Sequence, residues 1–354
     1  MSTDILELLE ATKDNDASDL HISTGLPPML RMNGEMTKFD VPDLTADDVH
    51  KMIRTLCTDE NWAHFEENWD LDCSYQLGEK ARFRVNAFQQ TRGPGIVCRT
   101  IPTKILSLAE LGAPDIFKDI SNQPRGIVLV TGPTGSGKST TLAAMIDEIN
   151  RTKKEHILTV EDPVEFVHRP QLSLINQREV GAHTKSFAAS LRAALREDPD
   201  IILVGELRDP ETIGLALTAA ETGHLVFGTL HTSSAAKTID RVIDVFPAAE
   251  KEMIRAMLSE SLKAVISQTL LRKKGGGRIA AHEIMISTPP IRNLIRENKV
   301  PQMYSAIQTG MAVGMQTLDQ ALKVLLEKNI IEIEDALKLA VNKADFKTPQ
   351  TPID

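Results

Sequence analysis

The segment Gly132-Pro-Thr-Gly-Ser-Gly-Lys-Ser139 carries glycine at its first and sixth positions, lysine at its seventh and a hydroxyl at its eighth. This is the G-x-x-x-x-G-K-[ST] pattern of a phosphate-binding loop. Gly132, Gly135 and Gly137 allow the backbone to turn its N–H groups inward around phosphate oxygens, and the N-terminus of a following helix adds its positive dipole end. Residues Gly132, Pro133, Thr134, Gly135, Ser136, Gly137, Lys138, Ser139 and Thr140 are therefore the expected nucleotide cradle. Lys138 is expected to reach the β- and γ-phosphates of ATP, and the Ser139 hydroxyl to ligate Mg2+. A β-branched run, Gly126-Ile-Val-Leu-Val130, leads in, and Thr140-Thr-Leu-Ala-Ala-Met-Ile reads as a helix leading out.

Hydrolysis needs acids as well. Thr159-Val-Glu161-Asp162-Pro163-Val-Glu165 closes the next apolar run, where Pro163 stops the strand and presents a carboxylate at its tip. Carboxylates at the carboxyl ends of parallel strands face the ligand crevice, so Glu161 or Asp162 is placed to orient an attacking water. Asp198-Pro-Asp-Ile-Ile-Leu-Val-Gly-Glu206 reads as a Walker B strand. Its acid is glutamate, one methylene longer than aspartate, which suits holding Mg2+ through a water. A histidine stands at each end of another run, His224 and His231. Seven residues of extended chain separate them by about 23 Å. Only His231 then reaches the nucleotide edge, and His224 is expected to be structural.

Four short aliphatic runs (126–130, 156–160, 201–204 and 225–230) alternate with helical segments, which implies a parallel sheet built from crossovers. Residues 1–101 read instead as a small α+β unit. Ile5, Leu8 and Leu9 mark a helix, and Thr45 caps a second one. Leu71, Cys73, Tyr75 and Leu77 alternate, as do Ala81, Phe83, Val85 and Ala87, which sends Arg82 and Arg84 to the face away from that unit's core. Pro and Gly between 102 and 125 suggest a linker. From Ala248 onward helices are expected, with Met253, Met257, Leu258, Leu262, Val265 and Ile266 as one apolar stripe and Leu318, Leu322, Leu325 and Leu326 as another. Arg272-Lys-Lys274 with Gly275-Gly-Gly277 suggests a basic hairpin tip, and 346–354 a frayed tail.

The 354 residues suit about two domains. Lys+Arg 40 against Asp+Glu 49 gives a net charge of −9, and aromatics are only 4%, which argues against a nucleic-acid partner. Three unpaired-looking cysteines, Cys57, Cys73 and Cys98, suggest reduced thiols in a cytoplasmic protein and no zinc site. The acidic N-terminus is unlike a signal peptide, and no apolar stretch is long enough to span a membrane.

The order of P-loop, Glu161-Asp162-Pro163 acidic box, Gly205-Glu206 Walker B and His224/His231 box resembles the secretion-type hexameric ATPases of type II secretion, type IV secretion and type IV pili. Asp19-Leu-His-Ile-Ser-Thr-Gly-Leu-Pro-Pro and Pro290-Ile-Arg-Asn-Leu-Ile-Arg-Glu297 are similar to segments of the PilT-type pilus retraction motors. The second differs from that subgroup's pattern only at Pro290, and proline suits the first turn of a helix.

The resemblance implies an α/β fold: a PAS-like α+β N-terminal domain (1–101), a linker (102–125), and a RecA-like P-loop NTPase domain with a helical C-terminal region (126–345). It implies a homohexamer that hydrolyses MgATP to power pilus retraction and twitching motility. Glu161 becomes the catalytic glutamate, Glu206 the Walker B acid and His231 the γ-phosphate sensor. Arg82 and Arg84 resemble arginines that approach a neighbour's phosphates, with Arg208 and Arg241 as further candidates. An arginine supplied by a neighbour is typically worth about 10³–10⁵ in turnover. The implied partners are an inner-membrane platform protein at the pilus base and a PilU-like paralogue. The rival readings are a PilU-like accessory or weakly hydrolysing assembly protein, a type II or type IV secretion ATPase, and a RecA-like DNA translocase, the last disfavoured by charge and composition.

Overall fold

The computed structural model describes residues 4–32, 34–78, 80–101 and 104–346. The chain divides into two compact units. One holds the residues up to Lys104 together with Asp162–Val167; the other holds Ile105–Glu161 and everything from His168.

In the first unit, α1 (Ile5–Asp14) buries Ile5, Leu8 and Leu9 as their spacing predicts. α2 (Ala46–Leu56) begins at the expected cap: the Asp48 N–H donates to the Thr45 hydroxyl and the Thr45 N–H to the Asp48 carboxylate. This reciprocal box satisfies two donors that the helix end would otherwise leave unpaired. α3 is Asp59–Asn68. Six strands, β1 (Asp19–Ser23), β2 (Met29–Met32), β3 (Glu35–Lys38), β4 (Asp70–Leu77), β5 (Ala81–Gln90) and β6 (Gly93–Ile101), form one antiparallel sheet ordered β3-β2-β1-β6-β5-β4. Along β5, Ala81, Phe83, Val85 and Ala87 are buried, with Arg82 and Arg84 on the other face. No disulfide joins the cysteines. Burial pushes the Cys57 thiol up to about 11 and the Cys98 thiol up as well.

The second unit is built on β7 (Gly126–Thr131), β8 (His156–Glu161), β9 (Leu174–Glu179), β10 (Ile201–Val204), β11 (Leu225–Leu230), β12 (Leu262–Arg272) and β13 (Arg278–Ile286), in the order β13-β12-β7-β11-β10-β8-β9. All neighbours are parallel except the β12–β13 hairpin. The four aliphatic runs read from the sequence are β7, β8, β10 and β11. Their side chains are buried on both faces, as continuous rather than alternating apolar strands require. Around them lie α4 (Ile116–Ser121), α5 (Lys138–Thr152), α6 (Phe187–Ala194), α7 (Pro210–Glu221), α8 (Ala235–Asp244), α9 (Lys251–Ser261), α10 (Pro289–Arg296), α11 (Met303–Thr309), α12 (Leu318–Glu327) and α13 (Ile333–Leu339).

Three expectations need correction. Residues from Ile105 through 125 are not a free linker: Leu108, Phe117 and Ile120 are buried in one cluster with Val128, Met145 and Ile149. Proline and glycine break the periodicity there, but the apolar residues between them still find the flank of the sheet. Second, the apolar stripe expected to run as one helix through Ile266 ends at Ser261, and Leu262, Val265 and Ile266 belong to β12. β12 is covered on both faces, so its apolar residues do not alternate, and their spacing mimics a helical face; Met253 itself is exposed. The Gly275–Gly277 segment is the tip of this hairpin, with all three glycines at positive φ between paired Arg272 and Arg278. Third, Phe346 is buried in a cluster with Leu322, Ile331 and Ala336, so it is not part of a tail; residues 347–354 lie outside those described. Among the described residues, no helix is long and apolar enough to cross a membrane.

Candidate nucleotide-binding and hydrolysis site

Parallel register sets the site. Thr131 pairs with Leu230, Gly228 with Val204, and Val204 with Val160, so β7, β11, β10 and β8 end along one edge of the sheet. Strand carboxyl ends are where such sheets hold ligands.

The P-loop follows β7 directly. Gly132, Gly135 and Gly137 have φ of 145°, 78° and 87°, backbone that L side chains adopt only with strain. α5 starts at Lys138, two residues earlier than the sequence pattern suggested. The Lys138 ammonium donates to the carbonyls of Gly132 (2.9 Å) and Pro133 (3.2 Å), curling the loop over its own helix start. The Ser136 hydroxyl is buried with no hydrogen-bond partner among the described residues. Leaving such a group unsatisfied costs about 1–3 kcal/mol, which a phosphate oxygen would relieve. A glycine-built turn, an ammonium, an orphaned hydroxyl and a helix N-terminus all fit a nucleotide's phosphates.

Glu161 is the last residue of β8, and its Oε1 accepts from the Thr159 hydroxyl (2.6 Å) and the Gln177 amide (3.3 Å). Gln177, on β9, also accepts from the His168 N–H at 2.8 Å. No sequence pattern singled it out, because β9 is too polar to read as a strand. Directly after Glu161, the segment Asp162–Val167 groups with the first unit, where the Arg82 Nε donates to the Val164 carbonyl at 3.1 Å.

Glu206 lies two residues beyond β10. Its Oε2 meets Arg208 Nη2 at 2.6 Å and its Oε1 meets His231 Nε2 at 3.2 Å. Burial pushes the Glu206 carboxyl up, but the hydrogen bond and charge of Arg208, together with His231, more than offset this and hold it below the usual range. Gly205 lets the turn come close: a Cβ there would sit 3.2 Å from the Glu161 Cα. The Thr229 hydroxyl, on β11, donates to the Gly205 carbonyl and ties that strand to the turn. His231 thus joins the acid, whereas His224, at the opposite end of β11, sits 2.9 Å through its Nδ1 from the Ala219 carbonyl.

The arginines divide. Arg208 engages Glu206 of its own chain. Arg241 is exposed near the C-terminal end of α8, with no ion pair among the described residues. In the first unit, Arg84 Nε donates to both Asp72 carboxylate oxygens (3.0 and 3.1 Å), and Arg82 Nη2 donates to the Ser74 hydroxyl (2.6 Å).

Comparison with known proteins identifies the family of the chain. The sequence profile of the type II/IV secretion system protein family matches residues 3–338. The chain is 63% identical to the type IV pilus retraction ATPase PilT of Pseudomonas aeruginosa, over 97% of this chain and all of that protein. It is 58% identical to a twitching motility protein of Neisseria gonorrhoeae, over 96% of this chain and 91% of that one. The crystal structure of the pilus retraction motor PilT with bound ADP superposes with a TM-score of 0.90 at 46% identity, covering 97% of this chain and 99% of that one. The ATPase DotB of Legionella pneumophila superposes at 0.82 with 32% identity, covering 94% and 93%. This chain belongs to the type II/IV secretion system ATPase family, in its branch of type IV pilus retraction ATPases.

Proposed function

We propose that this chain is the ATP-hydrolysing motor of type IV pilus retraction, working as a homohexamer at the cytoplasmic, inner-membrane base of the pilus. The observation that carries this is the gathering of Glu206, His231 and Arg208 at the edge of the sheet where the P-loop opens. In this reading the P-loop amides and Lys138 bind the phosphates of ATP, Glu161 orients the attacking water, and His231 reports on the γ-phosphate through Glu206. Ser139 and Glu206 offer the hard oxygen donors that Mg2+ prefers. Both Glu206 oxygens are already engaged by Arg208 and His231, which suits a water-bridged role. Mg2+ bound there would neutralise charge on the β- and γ-phosphate oxygens.

The second unit takes the RecA-like role and the first the PAS-like one. Arg82 and Arg84 act on a neighbour's nucleotide; Arg84 exchanges Asp72 for phosphate when the ring closes. The partners are an inner-membrane platform protein and a PilU-like paralogue. The test is to separate assembled from single subunits, weigh the assembly with and without ATP, and measure phosphate release from each. Six copies with activity confined to the assembly are expected. A stable monomer with full turnover overturns the shared-site reading. An active ATPase that fails to restore twitching to a retraction-deficient strain overturns the pilus assignment.

A further inference from the structure

β12 runs parallel to β7 on the side opposite β11, with Ser267 paired to Thr131. Gln268, the next residue, therefore falls alongside the P-loop, 132 positions after Ser136 in sequence. Its side chain is buried and every polar atom on it is engaged. Nε2 donates to the Ser136 carbonyl at 2.6 Å, Oε1 accepts from the Thr141 hydroxyl at 2.7 Å, and His282 Nε2 stands 3.2 Å from the same oxygen. His282 is Gln268's register partner on β13, with its ring edge-on to Phe117 at 5.0 Å. Burial drives the His282 imidazole down to about 4, so it is neutral. An amide oxygen only accepts, so the His282 hydrogen resides on Nε2. Two donors on one side thus fix the amide's orientation and leave its NH2 for Ser136. The main chain presses on the loop too: a Cβ at Gly132 would lie 2.2 Å from the Gln268 carbonyl oxygen.

We propose that Gln268 is a positioning residue for nucleotide binding, which holds the P-loop in its phosphate-binding conformation from behind. The Ser136–Gly137 peptide is planar and trans, so its C=O and N–H point in opposite directions. With the Ser136 carbonyl pinned on the β12 side, the Gly137 N–H is turned away from β12, as a phosphate donor must be. Thr141, in the first turn of α5, ties the helix start to the same amide, so loop and helix dipole are held as one piece. His282 acts through Gln268 and touches no phosphate.

The inference rests on the nucleotide-binding reading of the P-loop and is separable from it by experiment. Gln268→Met keeps the side chain's length and removes its donor and acceptor; Thr141→Val removes one donor and keeps the shape. Affinity for a fluorescent ADP is measured for both variants and the double variant, with kcat, KM and the melting temperature of the nucleotide-free protein. Gln268→Met is expected to weaken ADP about tenfold, the typical worth of one such bond, and to raise KM with kcat nearly unchanged. Thr141→Val is expected to weaken it by about threefold, with the double variant no worse than Gln268→Met, because Thr141 works through the same amide. If wild-type protein fails to bind ADP, the functional reading falls. If wild type binds and Gln268→Met binds within twofold of it, or the two losses multiply, the role of Gln268 falls. Should Gln268→Met fail to fold, Thr141→Val decides alone, and wild-type affinity in it overturns the proposal.

Discussion

Gly132 and Gly135 belong to the same loop and look equivalent in the motif, yet replacing each with alanine should have unequal consequences. At Gly135, φ is 78° and a Cβ would meet nothing within 4 Å. The cost is then the left-handed backbone alone, about 1–2 kcal/mol. At Gly132, φ is 145°, and a Cβ would lie 2.2 Å from the Gln268 carbonyl oxygen and 2.6 Å from the Ser136 hydroxyl. Backbone strain there adds about 1–3 kcal/mol, and forcing β12 or the loop to move adds a further cost of about 1–3 kcal/mol. The sums are about 2–6 kcal/mol for Gly132→Ala against about 1–2 kcal/mol for Gly135→Ala. For a unit of this size each kcal/mol lowers the melting temperature by about 2–4 °C. Calorimetry of the nucleotide-free proteins should therefore show Gly135→Ala melting about 2–8 °C below wild type and Gly132→Ala clearly lower still. A Gly132→Ala protein that melts as high as Gly135→Ala would refute the close packing of β12 on the loop.

Glu206→Ala should lower ATP turnover by about 10²–10³-fold while ADP affinity changes only a few-fold; near-normal phosphate release would remove Glu206 from the mechanism. Arg208→Gln deletes the charge that holds the Glu206 carboxyl low and leaves the burial that raises it. The acid limb of its pH–rate profile should therefore move to higher pH, and a lowered plateau with an unmoved limb would sink that assignment. Cys57, with its thiol pushed up to about 11, should react with a thiol reagent near neutral pH about 10²-fold more slowly than free cysteine. A free-cysteine rate would show that the burial is not maintained in solution.

The chemistry of this protein was legible wherever it is encoded locally. A glycine turn between a strand and a helix, acids that end aliphatic runs, and the alternation that turns Arg82 and Arg84 away from their unit's core all follow from backbone geometry within a dozen residues. Glu161, Glu206 and His231 stand at the strand ends where those runs placed them. What stayed hidden depends on which distant segments become neighbours. β12 reads as a helix because, with both faces covered, its apolar residues carry no period of two, and only strand order brings Gln268 against the loop. Charged side chains likewise do not announce their partners. Arg208 turns to the acid two residues away, and Arg84 reaches across the β4–β5 pair to Asp72. Glu161 ends its strand in one unit while the residues that follow it pack in the other. Sequence determined the glycine turn and which acids and histidine end the aliphatic runs, because dihedral preference and burial period act over a few residues. Tertiary structure decided what holds those groups in place, because side-chain hydrogen bonds and ion pairs form only once strands and turns are packed, from Arg208 on Glu206 two residues away to Gln268 on Ser136 across 132 positions.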